Sequence, residues 1–542
     1  MRGLSGLLLL IASGTLPAAE RGPWSEVQPE TIRSHVEFLA GDLLEGRATA
    51  SRGYDIAAAY VAAQFRQAGL QPGGDDKSFF QSVPLLEATP VLPGSSAELV
   101  RDDDTYTFEY GTHYLPAADF SSASSTLSAP LVFAGFGVDA PELGYNDFEG
   151  IDLKGRIAVV FSGAPAKFPN HQRAYYSWND RKLSTLVEHG AVGVITVDSS
   201  VDAKRTPWER RVAMSWTPEM RWLDEGGVPQ NAHPELKLRF RFNHEAATQL
   251  FETAPTSFAA ALAASDEGTP QGFTLPGMLT MSATTGLRRT ESANVIGVLP
   301  GSDPALKNEY VVLTAHLDHL GRGAAVNGDS VYNGAHDNAV GIAIMLEIAR
   351  ALHSSGAKPK RSVVFAAVTA EEKGLLGSDF FAHQAQADEK KLIADINMDM
   401  PLPFTPIFDF VALGAQHSTL GTAAKQAVAL QGYRLSADAA PEQVKFIRSD
   451  QFSFIRRGIP AIVLTTGYQP RDASVDLDDI RRQFLAAHYH QPSDDLSLPI
   501  DYPTAADLAR INVRIALAVA NAANAPRWSS GDFFAEKFPG DR

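Results

Sequence analysis

Six side chains in the second half of the chain are of the kinds that hold a divalent metal or move a proton: His316, Asp337, Glu371, Glu372, Asp399 and His490. The first five stand at or beyond the ends of apolar runs, and His490 follows in the polar stretch His488-Tyr489-His490-Gln491-Pro492-Ser493-Asp494-Asp495. Imidazole and carboxylate without thiol form a hard-to-borderline donor set. That set suits Zn²⁺, and Mn²⁺ or Co²⁺ can take the same geometry. If Asp337, Glu372 and Asp399 are ligands they bring three negative charges, and a shared hydroxide brings a fourth, which two divalent cations balance. Five ligands exceed the needs of one tetrahedral zinc but fit two zincs that share Asp337. Glu371 is then left off the metals and free to act as a base. His316, Asp318 and Asp337 on their own allow a plainer reading, a capped strand end with a surface salt bridge.

These groups need elements that bring them together. Residues 310–315 are β-formers that end abruptly in His316-Leu317-Asp318-His319, which reads as a buried strand with the charged groups past its carboxyl end. Asn338 can cap a helix over 339–353, with Ile344, Ile348 and Leu352 on one face and Gly356 as a stop. Further strands are expected at 294–299, 362–369, 392–400, 407–413 and 461–465. Helices are expected at 375–384, 419–430 and 502–523. Alternating strand and helix predicts an α/β fold, a mostly parallel mixed sheet sandwiched by helices. Near the start, 29–43 and 53–68 read as two amphipathic helices, with Leu43 on the apolar face of the first and a break at 44–47.

Residues 91–276 differ. Short β-like runs at 129–133, 156–161 and 192–197 alternate with Gly, Pro, Ser and Asp turns, and 180–189 looks helical. No metal or nucleophile motif occurs there, so this insert is expected to shape or cover a cleft.

At 542 residues two domains or more are expected. A net charge of −16, from 47 basic and 63 acidic residues, disfavours nucleic acid and anionic membrane as partners. The first 19 residues have the layout of a secretory signal peptide, an early Arg, a short apolar run and then small residues. That run is too short to span a membrane. There is no Cys, which removes disulfides, lipid attachment at a processed Cys and thiol chemistry. The expected layout is a leader at 1–19, a discontinuous catalytic domain at 20–90 and 277–525, the insert at 91–276 and a loose tail at 526–542.

Five motifs occur in order: Thr314-Ala315-His316-x-Asp318, Gly334-Ala335-x-Asp337-Asn338, Glu371-Glu372, Asn397-x-Asp399 and Tyr489-His490. Together they resemble peptidase family M28, which holds bacterial zinc aminopeptidases and glutamate carboxypeptidase and has a zinc exopeptidase fold. Leu153-Lys154-Gly155 and the stretch from Glu188 to Ile195 resemble the protease-associated domain, a β-rich insert that usually lacks catalytic residues. The family resemblance implies that Asp337 bridges two zincs, with His316 and Asp399 on one and Glu372 and His490 on the other. It implies Glu371 as the base, Asp318 as the carboxylate that orients His316, and a cis bond between Asp337 and Asn338.

Oxyanion donation is less settled by the resemblance. Some aminopeptidases of the family place a Tyr three residues before a Ser-Asp pair. Here Ser449-Asp450 is present but that position is Phe446, and the family's following His is Gln451. The carboxypeptidase branch places a Tyr before the last His, which is Tyr489 here.

The expected function is a secreted or periplasmic dinuclear zinc aminopeptidase acting on peptides, with two Zn²⁺ per chain and an open oligomeric state. A glutamate carboxypeptidase-like carboxypeptidase or dipeptidase is the alternative, with Arg448 as a possible carboxylate anchor. A binding protein of the same fold without metals would lack ligands that this chain retains, and a single-zinc glutaminyl cyclase is a minor option. His319, His336 and His488 flank ligands and are expected to line the cleft, with support of the ligands as the sharper alternative, and His353, His383 and His417 are expected to lie on the surface. The acidic loop containing Asp472, Asp476, Asp478 and Asp479 reads as solvated, with a substrate-amine or Ca²⁺ anchor as the sharper alternative.

Overall fold

The structure, a computed structural model, describes residues 22–91, 94–215 and 217–540. The expected leader lies outside them. Strand Glu309–His316 forms the middle of the principal sheet. It pairs in parallel with Ser362–Val368 on one side and Lys391–Asn397 on the other. Lys391–Asn397 pairs in parallel with Ala461–Thr466, which takes Asp409–Leu413 antiparallel. On the opposite flank Ser362–Val368 pairs antiparallel with the long strand Phe273–Leu299, and that strand pairs with Phe80–Pro90.

The central strands are near-continuous apolar runs because both of their faces are covered. Successive side chains alternate between the faces. Val311, Leu313 and Ala315 enter the same core as Ile344, Ile348, Leu508 and Ile511, from helices Val340–Ser354 and Tyr502–Asn521. Val312, Val364 and Ala366 point the other way, onto Phe381 and Phe454 from helices Leu376–Ala387 and Gln451–Ile455. Helix Val340–Ser354 is apolar nearly all round and is correspondingly buried. Each large aliphatic side chain hidden this way contributes about 1.5–3 kcal/mol.

Register places the chemistry at one edge. His316 pairs with Val368, three residues before Glu371. Thr314 pairs with Asn397, so Asp399 comes level with His316. Three parallel strands thus deliver His316, the two glutamates and Asp399 to their common carboxyl edge.

Residues of the insert form a second sheet whose middle is parallel: Ser124–Phe133, Ile157–Phe161, Gly193–Val197 and Leu238–Phe242. Parallel neighbours need crossovers, and helices such as Asn170–Ser177, Asn179–Glu188, Ser200–Arg205 and Trp208–Met214 supply them. The region therefore combines its many short strands with crossover helices. The expected boundary near 276 is no linker. Phe273–Leu299 runs through it, pairing with Ser124–Phe133 in the second sheet and with Phe80–Pro90 in the first. The insert also adds Glu219–Trp222 to the edge of Phe80–Pro90.

Three other expectations change. The first helix ends at Leu39 and Leu43 is 87% exposed. After Gly41 the chain turns through Asp42–Arg47, where Glu45, Gly46 and Arg47 take positive φ and Arg47 is carried inward. The tail is packed. Asp532 caps helix Phe533–Lys537 and binds His417 Nδ1 at 2.6 Å, and Phe534 is buried beside Phe446. His417, expected at the surface, is buried under that contact and stacks on Phe446. Among the described residues no helix is long and apolar enough to cross a membrane.

Candidate metal centre

His316 ends its strand fully buried. Its Nδ1 lies 3.1 Å from the Asp318 carbonyl, and its Nε2 is 3.1 Å from both Asp337 Oδ1 and Asp399 Oδ1. With Nδ1–H donating to the carbonyl, Nε2 is left facing two carboxylates, the arrangement of a metal-ligating imidazole. Asp337 is shared. Its other oxygen, Oδ2, is 3.2 Å from His490 Nε2, which is 3.1 Å from Glu372 Oε2. The five residues singled out as ligands therefore come together as two His–carboxylate groups joined through the two oxygens of Asp337. Tyr489 is stacked on His490, with ring centroids 3.9 Å apart.

Electrostatics here favours added positive charge. Burial works against a charged His316, yet Glu371, Asp399 and Asp337 hold its pKa well above the ordinary value. Burial also opposes charge on His490, but Glu372 and Asp337 push it up to about 10. An assembly of carboxylates that forces its histidines to stay protonated is chemically suited to divalent cations. Glu371 behaves differently from Glu372. Burial, reinforced by Asp399 and Glu372 against His316, raises Glu371 well above the usual carboxylate range. Burial raises Glu372 too, but His490 and His319 outweigh it and hold it low. Glu371 is held through its backbone N–H, which donates to Asp318, and its carboxylate accepts no hydrogen bond from the described residues. Burial also drives the Tyr489 hydroxyl well above 10, so it stays a neutral donor.

Asp318 departs from expectation in its contact. Its carboxylate does not meet the His316 ring; the backbone carbonyl of Asp318 does. Oδ1 accepts from Glu371 N–H at 3.1 Å, and Oδ2 accepts from Thr49 at 2.9 Å and from Glu372 N–H at 3.4 Å. The geometric reason is that Asp318 lies past the strand end, facing the turn that carries the two glutamates.

Several groups around the site were not singled out from the sequence. Asp494 accepts the backbone N–H of His336 at 2.9 Å and of Asp337 at 3.1 Å, holding the loop that presents Asp337. Arg47, buried beneath, donates to Leu317 at 3.0 Å, to Gly334 at 3.1 Å and to Asn333 at 2.7 Å. Asn338 meets its expected capping role in part: Oδ1 accepts from Gly341 N–H at 3.1 Å while Nδ2 donates to Met398. The Asp337–Asn338 bond is cis. Only the spacing of Asp494, four residues after His490, was available as a signal, and Arg47 had none.

Other expectations resolve plainly. Phe446 packs against His417 and Phe534 and cannot reach the centre as an oxyanion donor. Gln451 is buried and binds Asn397 at 2.7 Å. His319 and His336 are fully buried, not cleft-lining. His353 and His383 are exposed. Asp472 binds Ser474, Asp476 caps helix Leu477–Gln483 and Asp479 pairs with Arg482, so the acidic loop serves its own turn and helix. The insert touches the site through Arg210, on helix Trp208–Met214, whose guanidinium donates to the Tyr489 carbonyl.

Residues 294–516 match the family model described as peptidase family M28. An aminopeptidase from Pseudomonas aeruginosa is 26% identical over 360 residues, 65% of this chain and 53% of that protein. Leupeptin-inactivating enzyme 1 from Streptomyces exfoliatus is 35% identical over 108 residues, 20% of this chain and 22% of that protein. The chain thus spans about half or less of the length of these curated relatives. Among solved structures, an aminopeptidase from Aneurinibacillus sp. strain AM-1 shares the fold, with a TM-score of 0.53, 20% identity and coverage of 93% of this chain and 96% of that one. The match to the family model, the α/β architecture and the ordered motifs agree: this chain carries a peptidase family M28 domain, built on residues 294–516.

Proposed function

We propose that the chain is a dinuclear zinc aminopeptidase, exported to the periplasm or the medium. The observation that carries this reading is the pair of His–carboxylate groups joined by Asp337, with a spare high-pKa carboxylate, Glu371, beside them. His316 and Asp399 would hold one zinc, His490 and Glu372 the other, and Asp337 both. Bound zinc supplies the positive charge that polarises a scissile carbonyl and acidifies a water.

The chain's own groups carry the remaining steps. Glu371 takes a proton from the attacking water and delivers it to the leaving amine, a role that suits a carboxylate whose proton affinity burial and neighbouring carboxylates raise. Tyr489 offers a neutral hydroxyl to the oxyanion. Asp318 positions both glutamates through their backbone N–H groups, and Asp494 positions Asp337. The insert does no chemistry and holds the Tyr489–His490 segment through Arg210. Export rests on the leader-like first 19 residues.

A specific observation favours a second polarity. Arg448 is exposed and its side chain has no hydrogen bond or ion pair with the described residues. It lies close enough to Tyr489 to act on its charge. A free guanidinium there fits a substrate carboxylate, as a carboxypeptidase or dipeptidase requires.

A panel of aminoacyl and carboxyl-terminal reporter peptides, with metal analysis of the same sample, tests both. The expected result is release from the amino end, about two zinc ions per chain, loss of activity in chelator and recovery with Zn²⁺. Full activity in chelator, or saturation at one metal, would sink the dinuclear reading. Release only from the carboxyl end would select the second polarity.

A further inference from the structure

His319 is a buried imidazole that the five-ligand reading does not use. A histidine that merely fills a core has its ring N–H satisfied by a neighbour. Here neither ring nitrogen makes a hydrogen bond, and Glu372 Oε1 likewise has no hydrogen-bond partner. The two groups are nonetheless close: Nδ1 is 2.7 Å from Glu372 Oε1 and 3.9 Å from Asp337 Oδ2. The separation is that of an ion pair, although neither atom makes a directed hydrogen bond. Donor atoms that approach without pointing at each other are arranged as if around a common third atom.

Among the described residues two groups of three donors, each clustered within 4.8 Å, can hold an ion. One is His316, Asp337 and Asp399, and the other is His319, Asp337 and Glu372. His490 closes the second from another side, through Asp337 Oδ2 and Glu372 Oε2, and its ring stands 5.7 Å from that of His319.

The backbone holds His319 in this place. Its N–H donates to the Arg47 carbonyl at 3.1 Å, while Arg47 binds Leu317 and Gly334 on either side. Gly334 has φ of +60°, and a Cβ there would stand 2.6 Å from the His319 ring. The ring therefore occupies space that a side chain at 334 would need.

We propose that His319 is a further metal-holding residue, so that one position has four protein donors, His319, His490, Glu372 and Asp337, and the other only three. This rests on the dinuclear reading above and adds an asymmetry to it. Four protein donors fill a tetrahedral zinc, as in structural sites, whereas three leave the open position that a catalytic site keeps. The four-donor ion is the tightly held one. The three-donor ion, beside His316 and Asp399, is the exchangeable one with room for substrate.

The experiment uses the full-length protein, stripped of metal and titrated with Zn²⁺ alone against a competing chelating dye. Wild type should bind two ions with dissociation constants at least tenfold apart. His319→Ala should weaken the tighter one by about 100-fold or more and bring the two close together, with free imidazole restoring part of the difference. His319→Asn and His319→Gln separate holding from orienting, because an amide can still donate to Glu372 but ligates zinc poorly. If either keeps the tight site, His319 only orients Glu372 and the inference is overturned. Should the variants fail to fold, X-ray absorption of wild type at one equivalent of Zn²⁺ decides the matter. Two imidazoles on the zinc support the assignment and one refutes it. Failure of wild type to bind two zincs would overturn the dinuclear reading itself, whereas two bound zincs of equal affinity would overturn only this inference.

Discussion

The principal sheet and the insert both bury charge, and they treat it in opposite ways. In the insert every prominent buried charge is closed by partners of its own. Asp198 receives Arg211 through two bonds, at 2.7 and 3.0 Å, and also receives Arg241. Lys182 donates to the carbonyls of Phe161 and Gly163, both at 2.7 Å. Asp147 accepts from Phe136 and Val138 N–H groups and from the Tyr145 hydroxyl. At the carboxyl edge of the principal sheet, carboxylates crowd one another, histidines are held protonated against burial, and His319 meets Glu372 without a hydrogen bond. A buried charge that is fully paired maintains structure. A buried cluster with surplus negative charge and unmatched donors is completed by something outside the chain. The contrast separates supporting charge from working charge without reference to any relative.

Substitutions sharpen this contrast. The largest effect is expected at Glu371. Glu371→Gln should lower kcat by ~10²–10⁴-fold or more, with zinc content and thermal stability unchanged. Glu372→Gln should instead lose zinc, with activity partly recovered at high Zn²⁺. Zinc analysis beside kcat for the two variants checks the division of labour, and the reverse pattern would exchange the roles. Near-normal turnover in Glu371→Gln would remove it as the base.

Next comes Asp198→Asn in the insert, which leaves two partly buried guanidinium groups short of a counter-charge. It should cost about 2–4 kcal/mol in denaturant unfolding, at the lower side of values for broken buried pairs because the arginines keep some solvent. Turnover per folded molecule and zinc content should hold. A fall in turnover without loss of stability would erase the distinction between the two regions.

Arg210→Ala tests the contact of the insert with the Tyr489 segment. Removing its contact with the Tyr489 carbonyl should lower zinc affinity by about tenfold, the lower end for groups that support a ligand, with little change in unfolding. Unchanged zinc affinity together with unchanged KM would mean that the contact has no bearing on the site.

The smallest effect concerns pH and lies away from the centre. Burial, helped by Arg350, lowers His35 to about 4, where its Nδ1 meets the Tyr60 hydroxyl at 2.8 Å. The unfolded chain then binds the extra proton between pH 6.5 and 4 and the folded chain does not. Stability should fall as pH drops through that window, by at most ~1.4 kcal/mol per pH unit from this group. His35→Gln should flatten that slope in denaturant unfolding followed from pH 7 to 4. An unaltered slope would exclude His35 as a source of acid sensitivity.

By itself the sequence determined the kind of site and its order along the chain. Apolar runs ending in His316, Glu371-Glu372 and Asp399 are legible because a strand buried on both faces must be apolar throughout, and polarity returns where it leaves the sheet. The helices at 340–354 and 502–521 are legible from periodicity for the same reason, burial. What the tertiary structure alone decided are contacts whose partners lie far apart in sequence: Arg47 under residues 317–334, Thr49 on Asp318, Asp494 beneath Asp337, Arg210 on Tyr489. None carries a local pattern, because a hydrogen bond to a distant backbone atom leaves no periodicity. The tail misled for a related reason. Phe534 and Asp532 stand in a polar segment that looks loose until His417 and Phe446 are brought beside them. The placement of His319 belongs to the same class, since whether an imidazole lines a cleft or faces Glu372 is set by the turn that Arg47 and Gly334 hold.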